Sequence, residues 1–205
     1  MKKAIILDLD NTIYPVSSIG EDLFKPVFEL IGDSGYRENL DEIKKKMMRT
    51  PFQKVANEYG FSDDVVRNGA EILKDLAYDK EMQPFDDYQI LRALPCKKFL
   101  VTMGFTKMQQ AKVDKLNLAD DFEGIYIIDP EHSSKSKKDV FVEIMENNSF
   151  SPDDLLVIGD DPDSEVRGAQ ELGIDAVLYD RINVNPNYGH GPRITNYGVL
   201  HQYLA

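Results

Sequence analysis

The sequence predicts an α/β fold built on a parallel β-sheet, with a helical unit inserted near its N-terminus. A short apolar run, Ala4–Leu7, stops directly at acidic residues, as a buried strand followed by a turn does. After residue 84, short apolar runs alternate with helical stretches, which is typical of successive β-α units. Residues 15–84 show helical periodicity instead. These observations divide the chain into a core, residues 1–14 and 85–205, and an insert, residues 15–84.

Short apolar runs are the predicted strands of the core. They are rich in Ile, Leu, Val and aromatic residues, as expected for strands that are buried on both faces. The helical stretches between the later runs supply the crossovers that parallel strands require. The predicted strands are residues 4–7, 99–102, 125–128, 155–158 and 176–179, and the predicted helices lie near residues 106–116, 138–148 and 163–172.

Proline, glycine and serine mark the predicted helix ends in the insert. Pro26 lies inside the first helical pattern and indicates a kink or a later start. Pro51 is expected in the first turn of another helix, which Gly60 would end. Ser62 is a candidate N-cap for the helix that follows.

Composition narrows the class of protein. The net charge of −12 argues against a protein that coats nucleic acid, because such proteins present a basic face. Cys96 is the only cysteine, so no intrachain disulfide and no cysteine-rich zinc site is expected. No apolar run has the length of a membrane span or the pattern of a signal peptide, so no membrane partner is expected and the cytoplasm is the default location. Residues 183–192 are predicted to form a loop before a short last helix near residues 197–203.

Polar residues follow the predicted strands in an order that suits phosphoryl transfer. Asp8 and Asp10 follow the first strand, Thr102 ends the second, and Asp160 follows the fourth. Lys135 precedes the helix that leads into the fourth strand. Because ligands bind at the carboxyl ends of parallel strands, these side chains are expected to lie together. Carboxylates with a bound metal ion, a hydroxyl and a lysine can neutralise and hold a phosphoryl group, and oxygen ligands of this kind favour Mg²⁺.

Each of these residues also has an ordinary structural explanation when it is taken singly. The segment Asp8-Leu9-Asp10 could belong to a polar turn, since Asp and Asn favour turns. Thr102 could be an ordinary β-branched strand residue, and Lys135 could be one of a group of solvated lysines. The order of these residues at successive predicted strand ends favours the functional interpretation.

The motifs resemble those of the haloacid dehalogenase superfamily, in its phosphatase branch. The resemblance covers nearly the whole chain, and the first and fourth motifs together are its most specific part. The segment from Lys135 to Phe141 is similar to the family's Lys-Pro-x-Pro-x-x-Phe, with Ser136 in place of the first proline, which favours Lys135 over its neighbours. In family order the motifs are Asp8-Leu9-Asp10-Asn11-Thr12, Thr102, Lys135 and Gly159-Asp160-Asp161-Pro162-Asp163-Ser164-Glu165.

The resemblance implies a fold and a class of substrate. The core would be a Rossmann-like, three-layer parallel-sheet structure, and residues 15–84 would form an inserted four-helix-bundle cap of the C1 type. Tyr14-Pro15 is similar to the corresponding segment of pyrimidine 5′-nucleotidase-like members. The implied substrate is a small phosphorylated metabolite, with a nucleoside monophosphate as one candidate, and no nucleic-acid partner is implied.

The resemblance also implies catalytic roles. Asp8 would attack phosphorus and form an aspartyl-phosphate. Asp10 would protonate the leaving oxygen and then activate water. Asp8, the backbone carbonyl of Asp10, and Asp160 would hold Mg²⁺ as the cofactor.

The remaining residues of the motifs would hold the phosphoryl group or support the metal ion. Thr102 and Lys135 would contact the phosphoryl oxygens, together with backbone amides near Leu9 and Met103. Met103 stands where many relatives have Asn, so only its backbone amide can contribute. In the fourth motif, the supporting role stays open between three residues, Asp161, Asp163 and Glu165.

Four other functions use related residues. A dehalogenase is disfavoured because relatives that attack carbon replace the acid that stands here as Asp10. A phosphomutase uses the same residues and stays open. A phospho-accepting receiver module is disfavoured because it carries its acid pair and its phosphorylated Asp on different strands and has no such insert. A catalytically silent binding protein of the same fold is disfavoured by the intact set of acids.

Overall fold

The computed structural model describes residues 1–204 and contains a six-stranded parallel β-sheet. Its strands are β1 (Ala4–Leu7), β2 (Lys97–Met103), β3 (Gly124–Ile128), β4 (Leu155–Gly159), β5 (Asp175–Tyr179) and β6 (Arg193–Ile194). Their order across the sheet is β3-β2-β1-β4-β5-β6. The α/β parallel-sheet prediction is confirmed, with β1 to β5 at the predicted places. The two-residue strand β6 was not predicted, because so short a run has no period that a sequence pattern could show.

Alternate residues of β1 face opposite sides of the sheet. Ile5 and Leu7 belong to one buried cluster, together with Leu100 of β2 and Ile158 of β4. Ile6 belongs to a second buried cluster on the other face. Helices cover both faces, because the central strands carry apolar side chains on both sides. The core therefore has the three layers that were predicted.

The helices between the strands lie in the predicted crossover regions. Within residues 1–204 the α-helices are α1 (Gly20–Leu23), α2 (Lys25–Ile31), α3 (Leu40–Met47), α4 (Phe52–Tyr59), α5 (Asp63–Asp75), α6 (Tyr88–Arg92), α7 (Thr106–Lys115), α8 (Lys137–Asn148) and α9 (Arg167–Gln170). The last predicted helix is a 3₁₀ helix, Tyr197–Tyr203. None of the helices described is both long enough and apolar enough to cross a membrane.

Local sequence explains the helix ends in the insert. Phe24 separates α1 from α2, and Pro26 lies in the first turn of α2, where its missing N–H costs no hydrogen bond. Pro51 lies just before α4 in an extended conformation, one position earlier than predicted. Gly60 ends α4 at a φ of 63°, which glycine adopts without steric cost. The Ser62 hydroxyl caps α5 by accepting a hydrogen bond from a backbone amide of its first turn.

The insert and the sheet share one buried apolar cluster. Val27 and Ile31 of α2 and Leu73 of α5 are at most 3% exposed, and they belong to the cluster that contains Leu7. Burial of a side chain of this size stabilises the folded state by about 1.5–3 kcal/mol. Apolar contacts therefore hold the insert against the core, in addition to its two chain connections.

A buried polar network joins the C-terminal segment to the core. The Tyr197 hydroxyl donates to the Thr12 carbonyl at 2.7 Å, and the Tyr197 amide donates to Asp87 Oδ2 at 2.8 Å. The Tyr179 hydroxyl donates to Asp87 Oδ1 at 3.0 Å, and the rings of Tyr179 and Tyr197 stack with centroids 4.2 Å apart. The network fixes the backbone of the turn that follows β1.

Candidate active site

The candidate active site lies at the carboxyl end of β1, between β2 and β4. Leu7, the last residue of β1, is in register with Leu100 of β2 and Ile158 of β4. The amide of Asp8 donates to the Ile158 carbonyl at 3.1 Å, which extends the strand direction by one residue. The sheet continues through β2 and β3 on one side of β1 and through β4 and β5 on the other. Parallel sheets of this kind bind ligands in the crevice where the strand order reverses.

Asn11 fixes the turn that carries the first motif. Its φ of 56° lies in the left-handed region, which Asn tolerates better than most residues. Its side-chain oxygen accepts a hydrogen bond from the Val16 amide at 3.1 Å, and its side-chain nitrogen donates to the Met48 carbonyl at 3.2 Å. The second bond ties the turn after Asp8 to the segment that follows α3.

A buried ion-pair cluster surrounds Asp8. The Lys137 ammonium donates to Asp8 Oδ1 at 2.5 Å and also to a carboxylate oxygen of Glu165. The three side chains are at most 8% exposed. Burial raises the pKa of Asp8 to about 7, and the charges of Glu165 and Asp10 act in the same direction against that of Lys137. Burial opposes protonation of Lys137, but the two carboxylates outweigh it and raise the pKa of this lysine above its usual value.

The lysine of this cluster is Lys137, and Lys135, the predicted phosphate-binding lysine, lies outside it. Lys135 is exposed and pairs with Glu143. Ser136 and Asp139 form a capping box, so α8 begins at Lys137 and its side chain reaches the strand ends. The Ser-x-x-Asp pattern is a sequence signal for this helix start. The family's proline-containing segment instead corresponds to a lysine two positions earlier, Lys135.

Asp10 lies in a second cluster, whose helical members were not predicted. The Lys112 ammonium donates to both carboxylate oxygens of Asp10, at 2.8 and 3.0 Å. The Gln109 side-chain nitrogen donates to Asp10 Oδ2 at 3.1 Å and to Thr102 Oγ1 at 2.6 Å, and the Tyr14 hydroxyl donates to Asp10. Burial alone would raise the pKa of Asp10, but Lys112 and these hydrogen bonds outweigh it and lower the pKa. Asp10 is therefore ionised at neutral pH.

A helical pattern in the sequence could have identified the two residues on α7. Gln109, Lys112, Val113 and Leu116 follow the i, i+3, i+4, i+7 spacing of one helix face, and all four are buried. Two polar side chains on a buried face need polar partners inside the protein. The pattern predicts that such partners exist, but it does not identify them.

Of the three candidates for a supporting role in the fourth motif, Glu165 is the one whose side chain lies in the Asp8 cluster. Gly159 at the end of β4 makes room for it, because a Cβ atom there would lie 2.6 Å from Glu165 Cγ. Asp161 instead accepts a hydrogen bond from the Asp163 amide at 2.8 Å and shapes the turn before α9. The Asp163 side chain is exposed.

The residues near Asp160 fit a bound Mg²⁺ ion. Burial, followed by the charges of Asp8 and Glu165, raises the pKa of Asp160 well above its usual value. The carboxylates of Asp8, Asp160 and Glu165 thus repel one another, and a divalent cation would relieve their repulsion. Within the described chain, no three or more His, Cys, Asp or Glu side chains form a metal-binding group. Mg²⁺ is commonly bound through one or two carboxylates and several waters, which the pair Asp8 and Asp160 can provide.

Leu9 and Met103 offer only backbone groups to the site. The Leu9 side chain is fully buried in the apolar core, and the Met103 side chain at the end of β2 is 40% exposed. Neither side chain carries a hydrogen-bond donor. A contribution of these two residues to phosphate binding would come from their backbone amides, as the family resemblance implies.

Comparison with known proteins identifies the family. A family model of haloacid dehalogenase-like hydrolases matches residues 2–173. The chain belongs to this family. The resemblance inferred from the four motifs is therefore confirmed, and the protein is an enzyme of the hydrolase class.

Two curated phosphatases are similar to this hydrolase over most of their length. Glyceraldehyde 3-phosphate phosphatase from Methanopyrus kandleri is 24% identical over 86% of this chain and 83% of the relative. Enolase-phosphatase E1 from Persephonella marina is 22% identical over 94% of each chain. A solved haloacid dehalogenase-like hydrolase, SP0104 from Streptococcus pneumoniae, has the same fold, with a TM-score of 0.70, 21% identity and 98% of both chains covered. Family and relatives together place the chain among the phosphatases of this family.

Proposed function

We propose that this hydrolase is a Mg²⁺-dependent phosphomonoesterase that acts through an aspartyl-phosphate at Asp8. The observation that carries the proposal is the position of Asp8 at the end of the central strand, in contact with the buried ammonium of Lys137. Asp10, two residues further along, is ionised and held by Lys112. A nucleophilic carboxylate and a separate proton-transfer carboxylate are the two groups that this chemistry requires.

The first step transfers the phosphoryl group to the enzyme. A carboxylate oxygen of Asp8 attacks phosphorus, the bond between phosphorus and the leaving oxygen breaks, and that oxygen takes a proton from Asp10. Asp10 must first be protonated. The negative charge of the arriving phosphate favours this protonation, since a like charge raises the pKa of a carboxyl group.

The second step hydrolyses the aspartyl-phosphate. Asp10, now a carboxylate, accepts a proton from water while the water oxygen attacks phosphorus. The bond between phosphorus and Asp8 breaks, which releases inorganic phosphate and restores Asp8. The ion pair with Lys112 stabilises the carboxylate form of Asp10 that this step needs.

Positive charge and hydrogen bonds stabilise the phosphoryl group during both steps. The carboxylates of Asp8 and Asp160 and the backbone carbonyl of Asp10 would hold Mg²⁺, which neutralises phosphoryl oxygens when it is bound. Lys137 adds a fixed positive charge, and Thr102 supplies a hydroxyl. Hydrolysis of phosphate monoesters without a catalyst is so slow that the barrier must fall by roughly 20 kcal/mol or more. Prearranged charges in a site shielded from water provide the largest part of such reductions.

We further propose that residues 15–84 form a cap that closes over the crevice and selects the substrate. The hydrogen bond from Asn11 to the Met48 carbonyl supports this, because it brings the insert to the edge of the first motif. The substrate would be a small phosphorylated metabolite. Nucleoside monophosphates are one candidate class, which the similarity of Tyr14-Pro15 to pyrimidine nucleotidase-like members suggests.

Phosphate release from a substrate panel tests the proposal. Nucleoside monophosphates, sugar phosphates and p-nitrophenyl phosphate are compared with and without Mg²⁺, for wild type and Asp8→Asn. We expect Mg²⁺-dependent release by wild type and a loss on the order of 10⁴-fold or more in Asp8→Asn, as is typical when a nucleophile is removed. Near wild-type turnover in a folded Asp8→Asn protein would show the mechanism to be wrong. Transfer of phosphate to a sugar, without release, would identify a phosphomutase.

A further inference from the structure

We propose that Gln109 and Lys112 of α7 are positioning residues, which hold the Asp10 carboxylate and the Thr102 hydroxyl in one arrangement for proton transfer. The inference rests on the proposed function, in which Asp10 moves the proton. Neither residue belongs to the four motifs, and neither contacts the nucleophile Asp8 through a hydrogen bond in the described structure.

Lys112 contacts Asp10 at two points. Its ammonium lies 2.8 Å from one carboxylate oxygen and 3.0 Å from the other, so the contact restrains both the position of the carboxylate and the rotation of its plane. The Lys112 side chain is 2% exposed. A lysine buried to this degree is costly unless it is paired, and Asp10 is the carboxylate that pairs with it.

Gln109 joins Asp10 to Thr102. Its side-chain nitrogen donates to both residues, at 3.1 Å and 2.6 Å, and thereby connects groups at the ends of β1 and β2. Gly104 lies directly against this glutamine, since a Cβ atom there would be 3.1 Å from Gln109 Cδ. The Gln109 side-chain oxygen is buried without a hydrogen-bond partner among the described residues. An unpaired buried oxygen costs stability, and such costs occur where a site is arranged for function.

The two residues therefore act through Asp10 on the leaving group. When Lys112 is absent, the Asp10 carboxyl can rotate and its proton is no longer aimed at the leaving oxygen. The rate should then depend more strongly on how easily the leaving group departs without a proton. Phenol needs that proton more than p-nitrophenol does, because its oxyanion is more basic.

Phenyl phosphate and p-nitrophenyl phosphate distinguish positioning from a structural role. We expect Lys112→Met to lower kcat/KM for phenyl phosphate by about 10- to 100-fold, at or below the loss of about 10²–10⁴-fold for a missing acid–base group. The loss in kcat/KM for p-nitrophenyl phosphate should be clearly smaller; kcat/KM is compared because it covers the step in which the leaving group departs, whereas hydrolysis of the aspartyl-phosphate is common to both substrates. Gln109→Leu should show the same substrate-dependent loss, and Lys112→Arg should recover part of the rate on phenyl phosphate.

Lys107→Met is the matched control, because Lys107 lies on the same helix but is exposed and pairs with Asp75 at 3.6 Å. It should behave like wild type. Equal losses on the two substrates in Lys112→Met and Gln109→Leu, or no loss, would overturn the inference. If Lys112→Met does not fold, Gln109→Leu and Lys112→Arg test the inference in the same way, by comparing the loss on phenyl phosphate with the loss on p-nitrophenyl phosphate. Asp10→Asn separates the two proposals. If Asp10→Asn loses most of its activity while Lys112→Met keeps wild-type activity, the positioning role is refuted and the proposed function is not. If Asp10→Asn keeps its activity, the proposed function itself is refuted.

Discussion

Two aspartates at the end of β1 are each paired with a different buried lysine. Asp8 shares Lys137 with Glu165, and burial together with its acidic neighbours raises its pKa to about 7. Asp10 pairs with Lys112, whose charge overcomes the effect of burial and lowers the pKa of Asp10. Two carboxyl groups whose environments drive their pKa values apart are suited to different tasks. A divalent cation bound beside Asp8 would lower the pKa of that carboxyl group and favour the carboxylate form that a nucleophile needs, whereas Asp10 must gain its proton when the negatively charged substrate arrives.

Substitution of the two neighbouring lysines tests the assignment of Lys137. Lys137→Met removes the positive charge beside Asp8, and we expect kcat to fall by about 10²–10³-fold, as when one charge-stabilising group is removed from an active site. Lys135→Met should leave kcat unchanged, because Lys135 is exposed and pairs with Glu143. Steady-state kinetics with saturating Mg²⁺ measure both variants. A comparable loss in the two variants, or a loss confined to Lys135→Met, would contradict the assignment.

Helices α4 and α5 of the insert are in close contact at a glycine. Gly69 of α5 lies against the ring of Phe52 in α4, where a Cβ atom would be 2.3 Å from Phe52 Cζ. Glycine inside a helix costs about 1 kcal/mol relative to alanine. Its presence here is explained by the space that the aromatic ring requires.

Gly69→Ala tests whether residues 15–84 form a unit of their own. Overpacking against Phe52 should destabilise the insert by about 1–3 kcal/mol, which exceeds the gain in helix propensity. Limited proteolysis should then cleave faster within residues 15–84 while the sheet stays protected. Asn68→Ala, at an exposed position of the same helix, should not increase cleavage. Equal loss of protection in the sheet and the insert would show that the two unfold together.

At the scale of the whole molecule, hydrogen bonds connect the segment after β5 to the candidate active site. The buried carboxylate of Asp180 accepts hydrogen bonds from the amides of Val184 and Asn185, at 2.8 and 2.9 Å, and from Arg193 at 2.9 Å. The Asn185 side chain in turn donates to the Asp160 carbonyl at 3.4 Å. The loop between β5 and β6 thus supports the backbone of the fourth motif.

This arrangement predicts a pH dependence of stability. Burial alone would raise the pKa of Asp180, but the two amides and Arg193 outweigh it and lower the pKa. A lowered pKa in the folded state means that the stabilisation is fully present above the unfolded value, about 3.9, and is lost as the pH falls through the folded value. At pH 7, Asp180→Asn should therefore be less stable than wild type by about 1–3 kcal/mol.

Urea unfolding measured at several pH values between 7 and about 2 tests this prediction, because the range must extend below the unfolded pKa of about 3.9. The difference in the free energy of unfolding between wild type and Asp180→Asn should narrow at the acidic end, where wild type begins to lose the stabilisation. Asp163→Asn, at an exposed site, should show no such difference. If the difference in the free energy of unfolding between wild type and Asp180→Asn stays constant over the whole pH range, the assigned role of the Asp180 carboxylate is wrong.

Local patterns in the sequence were enough to predict the strands of the sheet and part of the candidate site. The apolar runs from Ala4–Leu7 onward determine the strands, because burial on both faces requires uninterrupted apolar residues. The acidic residues that follow β1 and β4 were recognisable because parallel strands bring their carboxyl ends to one edge of the sheet. Asp8, Asp10 and Asp160 could therefore be named before any contact was known.

Only the tertiary structure decided which side chains complete the site. Lys137 and Lys135 stand two positions apart, and the start of α8 determines which one reaches Asp8. Lys112 and Gln109 meet Asp10 across about a hundred residues of sequence, because α7 packs on the sheet with that face inward. Such contacts depend on the rotation and position of a helix relative to distant strands. That geometry results from the packing of the whole core, so it cannot be inferred from any short segment of the sequence.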